Sequence, residues 1–125
     1  MAEQPGSRIK AKDINDQIRY TSWSVFRSGR GRLADRAAAV AEVEQVLASA
    51  AERGVSHRGW YDVGALRADA DVMLWLHAET SDLLQDTYHD VLRTTLGATL
   101  EPVWSQLALH RPAEFNKSHV PAFLA

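Results

Sequence analysis

Val72-Met73-Leu74-Trp75-Leu76-His77-Ala78-Glu79-Thr80-Ser81 is the stretch on which the fold turns. From Val72 to Ala78 no charged residue interrupts a run of strand length, which predicts a strand buried on both faces. His77 lies near its end, where a hydrogen-bonded core histidine is the expected role. The period then changes. Thr80 or Ser81 offers a hydroxyl to cap a helix. Leu83, Leu84, Tyr88, Val91 and Leu92, with Thr95, recur at helical steps, and Gly97 is expected to end that helix.

Upstream, Ile18 to Phe26 alternates, with Ile18, Tyr20, Ser22, Ser24 and Phe26 opposed to Arg19, Thr21, Trp23 and Val25. Its aromatic and β-branched content predicts a strand. Leu33 to Arg53 moves in steps of three and four through Leu33, Ala37, Val40, Val43 or Ala41, Val46, Leu47 and Ala50. That is an alanine-rich amphipathic helix, with Gly54 where a left-handed cap is wanted. Val55 to Val63 predicts a second strand and Gly64 to Asp69 a turn. Downstream, Val103, Ser105, Leu107 and Leu109 alternate with Trp104, Gln106, Ala108 and His110. The order strand, helix, strand, strand, helix, strand predicts an α+β ferredoxin-like βαββαβ unit, an antiparallel sheet with both helices on one face. Trp23, Trp60, Trp75 and Trp104 all fall on strands, so some should line the face that the helices leave bare. A second such unit or another subunit would bury it.

With 125 residues, 46% of them hydrophobic and 24% charged, the chain has the makings of one domain with its own core. Its net charge of −2 provides no field for a phosphate backbone, so nucleic acid is not an expected partner. The local cluster Arg27-Ser28-Gly29-Arg30-Gly31-Arg32 is expected to be a solvated loop. The absence of cysteine excludes disulfides and thiolate chemistry and fits a reducing compartment. No apolar run is long enough for a bilayer, and Met1 to Ser7 lacks the core of a signal peptide. A soluble cytoplasmic protein is expected. Residues 1–16 are polar and predict a loosely held arm, leaving 17–111 as the folded unit.

Five histidines are present, and none forms a helical metal-binding pair with a carboxylate. His89 is expected on a solvated helix face, and His57 carries no special signal. Asp62, Asp69 and Asp71 flank a loop holding Arg67, so turn capping and ion pairing are favoured over acid–base or Mg²⁺ chemistry. Ser22, Ser24 and Ser105 lie within strands, outside any nucleophile-elbow pattern.

His110 and His119 share the segment Leu109-His110-Arg111-Pro112-Ala113-Glu114-Phe115-Asn116-Lys117-Ser118-His119-Val120-Pro121-Ala122-Phe123. Its prolines and polar cluster follow neither the helix nor the strand period. Residues 112–125 therefore read as a connector, and a connector leading to nothing suggests half of a larger protein. Imidazole titrates near neutrality, so a positioned His119 could move a proton, with Lys117 favouring its neutral form. Spacing alone favours a structural polar loop.

Several stretches together carry a resemblance: residues 18–26, Arg58-Gly59-Trp60-Tyr61-Asp62-Val63, and Leu66-Arg67-Ala68-Asp69-Ala70-Asp71. Thr94-Thr95-Leu96-Gly97, Pro102-Val103-Trp104-Ser105 and the connector continue it. Over residues 18–124 the chain resembles the N-terminal half of members of the chlorite dismutase family, in the peroxide-dependent branch that decarboxylates coproheme. The resemblance implies one half of a dimeric α+β barrel and assembly as homopentamers. Iron coproporphyrin III would be substrate and redox centre, and hydrogen peroxide the oxidant. Two propionates become vinyls with loss of CO₂, giving haem b. It also implies that His119 is the distal base toward peroxide, the one catalytic residue assigned. The axial histidine and radical-forming tyrosine of the family would lie beyond Ala125, so no metal ligand is expected here, cofactor contacts stay unassigned, and the 125-residue chain alone is expected to be inactive. Two other functions stay open. One is a non-catalytic ferredoxin-like oligomerisation or small-ligand-binding module. The other, ranked low, is chlorite dismutation.

Overall fold

The computed structural model describes residues 17–29 and 31–111. The expected arm (1–16), Arg30 and the connector (112–125) lie outside the described residues. Four strands and two helices follow the expected order: β1 (Arg19–Ser28), α1 (Arg36–Glu52), β2 (Ser56–Asp62), β3 (Val72–Ala78), α2 (Ser81–Leu92) and β4 (Leu100–His110), with a short 3-10 turn at Gly97–Thr99. The antiparallel sheet has the order β2-β3-β1-β4, the ferredoxin-like arrangement.

Register explains the two faces. Phe26, Leu74, Leu76 and Ala78 point to the helices and join Val43, Leu47, Ala50, Leu84 and Val91 in one buried core. Phe26 lies over Tyr88 with ring centroids 6.0 Å apart. Trp60 packs on this side as well. Trp23, Trp75 and Trp104 belong to the opposite face, which no described helix or strand covers. Three of the four tryptophans thus line the bare face, as expected of some of them, and Trp60 lies on the other side. An extra residue on β2, Arg58 between His57 and Gly59, resets the alternation and turns Trp60 inward.

The helices are capped by local side chains. Asp35 accepts from Ala38 N at 3.0 Å and Thr80 Oγ1 from Leu83 N at 3.3 Å, so Thr80, not Ser81, is the second cap. Gly54 has φ +97°, the left-handed conformation expected after α1.

Four expectations are corrected. Helix α1 begins at Arg36 rather than Leu33, and its buried stripe is Ala39, Val43, Leu47 and Ala50, with Val40 46% exposed. Alanine fits either side of the helix, so composition could not fix the rotation. Strands β1 and β4 extend to Ser28 and back to Leu100, which draws Arg27 out of the expected loop, its Nε donating to Glu101 at 2.8 Å. Helix α2 stops at Leu92 instead of running to Gly97. Gly97 is a site of close approach, since a Cβ there would sit 2.0 Å from the Val91 carbonyl oxygen.

Candidate functional site

Several polar groups of the sheet gather on its uncovered face. Arg19, Thr21, Trp23 and Val25 of β1 lie beside Met73, Trp75 and His77 of β3, with Thr21 opposite His77 and Trp23 opposite Trp75. The Trp23 and Trp75 rings are 5.9 Å apart, Tyr61 is 6.3 Å from Trp75, and the Arg58 guanidinium lies 5.5 Å from the Trp75 ring centroid. The Arg58 bulge that turns Trp60 inward also delivers this cation to the aromatic cluster.

Hydrogen bonds fix the cluster. The Trp75 indole N–H donates to Thr21 Oγ1 at 2.8 Å, and Thr21 donates to the Leu76 carbonyl at 3.3 Å. Arg19 Nε donates to His77 Nδ1 at 3.0 Å. Thr21 and His77 are both buried, at 4% and 6% exposure, on the face without helices. Burial first, then the Arg19 and Arg58 charges, lower the His77 pKa to about 4. Near neutral pH the imidazole is therefore uncharged, accepts at Nδ1 and carries its proton on Nε2. This histidine is a structural acceptor, as expected from sequence, although it lies on the uncovered face rather than in the helix-side core. A base with that pKa has little proton affinity near neutrality.

The other candidates are scattered. His57 is exposed on β2, edge-on to Trp60 at 6.2 Å, and desolvation lowers its pKa. His89 is exposed on α2 and His110 ends β4 opposite Arg19. The three aspartates serve the loop: Asp62 accepts from Gly64 N at 2.9 Å, Asp69 from Arg67 at 3.0 Å, and Asp71 from Ser28 N at 2.7 Å. Among the described residues no group of three or more His, Asp or Glu could hold a metal. His119 lies outside the described residues. The sequence reading did not single out Thr21 or Arg58. Alternation could have paired Thr21 with Trp23 and Arg19, but only register brings them to Trp75 and His77.

An apolar cavity of about 440 Å³ opens on the other side of the sheet, between α1 and the strands, lined in part by Leu33, Val40, Val43, Trp60, Leu96 and Leu100. Its lining holds no histidine, tyrosine or methionine, the usual protein ligands of haem iron, and its two carboxylates are Glu44 and Asp71.

Residues 36–125 match the family model described as chlorite dismutase. The chain belongs to that family. A curated coproheme decarboxylase from Mycolicibacterium smegmatis is 54% identical over 114 residues, covering 90% of this chain and 49% of the relative. The chain thus spans about half the length of the curated relative it matches. Solved structures agree on the fold. A chlorite dismutase from Candidatus Nitrospira defluvii in complex with imidazole superposes with a TM-score of 0.71 at 19% identity, covering 84% of this chain and 44% of that one. A mutant chlorite dismutase from the same organism in complex with cyanide gives 0.68 at 21% identity, over 74% and 40%.

Proposed function

We propose that this chain is the N-terminal half of a coproheme decarboxylase, which converts iron coproporphyrin III to haem b by peroxide-dependent oxidative decarboxylation of two propionates. The observation that carries this reading is 54% identity over 90% of the chain to a curated enzyme of that name. Residues 17–111 form the N-terminal ferredoxin-like domain of the whole protein and 112–125 its connector. The whole protein acts in the cytoplasm as a homopentamer. Among the described residues no helix is long and apolar enough to cross a membrane.

The described residues do not fit an iron porphyrin as ligands. His77 is committed through Nδ1 to Arg19, and the apolar cavity holds none of the usual haem ligands. No step of the porphyrin chemistry is therefore assigned to them. Their part is to hold the fold and fix the end of β4, from which the connector departs. His119 is the distal base of the whole protein. Imidazole in general can act as a base toward peroxide near neutral pH, which His77, lowered to about 4, cannot do effectively.

The test has two arms. Ferric coproporphyrin III added to the 125-residue chain should give no saturable Soret shift and no haem b after peroxide. A longer protein containing this sequence should give both, and His119→Ala in it should slow peroxide-driven conversion by about 10²-fold or more. Turnover by the short chain would overturn the claim that catalysis needs a second half. An unchanged rate in the His119→Ala protein would remove His119 from the mechanism.

A further inference from the structure

The apolar cavity beside α1 adjoins a second recess of about 470 Å³, and the two share Ser28, Leu33 and Thr99 in their walls. Their remaining walls differ in chemistry. Val40, Val43, Trp60 and Leu100 belong to the first, Arg32 and Arg36 to the second. Both arginines are exposed. Arg27, Arg53, Arg67 and Arg93 each meet a carboxylate, whereas Arg32 and Arg36 meet none among the described residues. The neighbouring acids are placed otherwise. Asp35 accepts from Ala38 N and Asp71 from Ser28 N, and Glu44 lies about 12 Å along the axis of α1 from Arg36. Arg19 pairs with His110 where the described chain enters and leaves the sheet, while Ser28 pairs with Leu100 at the cavity wall. The length of β1 puts about 30 Å between these two ends. Neither terminal segment therefore joins the fold at the cavity.

We propose that the two recesses together bind a straight-chain carboxylate, its hydrocarbon chain in the apolar cavity and its head group at Arg32 and Arg36. The chain passes Leu33 and lies against Trp60, where burial of its methylenes supplies most of the binding energy. The head group stays in the outer recess, for two reasons. Guanidinium groups match a carboxylate in charge and fork geometry, and Arg32 and Arg36 are not engaged by an acid of the described fold. The inner cavity, by contrast, carries Glu44 and Asp71, which repel an anion and admit a neutral chain. A cationic head group would have to settle at Glu44 and leave both arginines without a counter-charge. The site is separate from porphyrin chemistry and needs no residue assigned to it.

Decanoate, kept below its micelle concentration, is the probe. Titrated into the 125-residue chain, it should bind saturably and shift the NMR signals of Trp60, Val40 and Leu100. Decanol keeps the chain without the charge and should bind about fivefold more weakly. Added salt should weaken decanoate and leave decanol unchanged. Arg32→Gln with Arg36→Gln, both at exposed positions that the fold does not need, should reduce decanoate to the affinity of decanol. Val40→Trp, at a position 46% exposed on the cavity wall, should exclude both probes while leaving the unfolding midpoint near its original value. Absence of saturable binding would overturn the proposal, as would shifts confined to other residues. Tighter binding of decylamine than of decanoate would overturn it by moving the head group to Glu44. The same titration in a longer protein containing this sequence should again shift Trp60. Loss of binding there would overturn the proposal, because further polypeptide would then fill the cavity.

Discussion

The helix-covered and uncovered faces of the sheet are made by alternate residues of the same strands, yet different physics holds them. On the helix side Phe26, Leu74, Leu76 and Val91 are nearly free of solvent, and the gain is removal of apolar area from water. On the uncovered side burial is achieved with polar partners. Thr21 and His77 are hidden, but each is tied by a directed bond to Trp75 or Arg19. Apolar burial tolerates rearrangement, whereas a buried polar group is costly unless its partner stays in place. The first face is therefore expected to set the stability of the fold, and the second its sensitivity to pH.

That comparison can be broken experimentally. Phe26→Ala deletes the largest fully buried side chain and should cost about 3–5 kcal/mol in denaturant unfolding. A loss well under that would mean the helix side is not the main source of stability. Gly97→Ala forces a methyl onto the Val91–Leu92 backbone where α2 returns to β4, and should cost about 1–3 kcal/mol.

The uncovered face should answer to acid instead. The pKa of His77 is lowered in the fold, from 6.5 to about 4, so burial favours its neutral form. Its contribution to stability is full above pH 6.5, where the imidazole is neutral folded or unfolded. It is lost as the pH falls from 6.5 toward about 4, because the unfolded chain takes up the proton first. Stability measured across that window should decline, and His77→Gln should flatten the decline. An NMR titration placing the His77 midpoint near 6.5 would contradict the assignment. The smallest effect is expected at Val40. Its valine fits the helical spacing but stands 46% exposed, so Val40→Ala should change stability by no more than about 0.5 kcal/mol.

Much of the fold was legible because the local signals were strong. The run from Val72 to Ala78 lacked charge and had strand length, Thr80 stood at a helix start, and Gly54 followed the last helical step. Where local chemistry was neutral, the reading drifted. Alanines left the rotation of α1 undecided, and Gly97 looked like a cap because proximity to the Val91 carbonyl has no sequence signature. The site was less legible still. Thr21 is separated from Trp75 by more than fifty residues, and their bond exists only because β1 and β3 share a register.

The sequence by itself determined the order of strands and helices, the two-faced character of the sheet and, through resemblance, the family. Periodicity and capping act within a few residues, so they can be read along the chain. Only the tertiary structure decided which tryptophans face the helices, how Arg58 reaches the Trp75 ring, which acceptor holds Arg19, and which strands stand at the edges of the described sheet. Each depends on bulge position and strand register, set by the packing of side chains far apart in sequence.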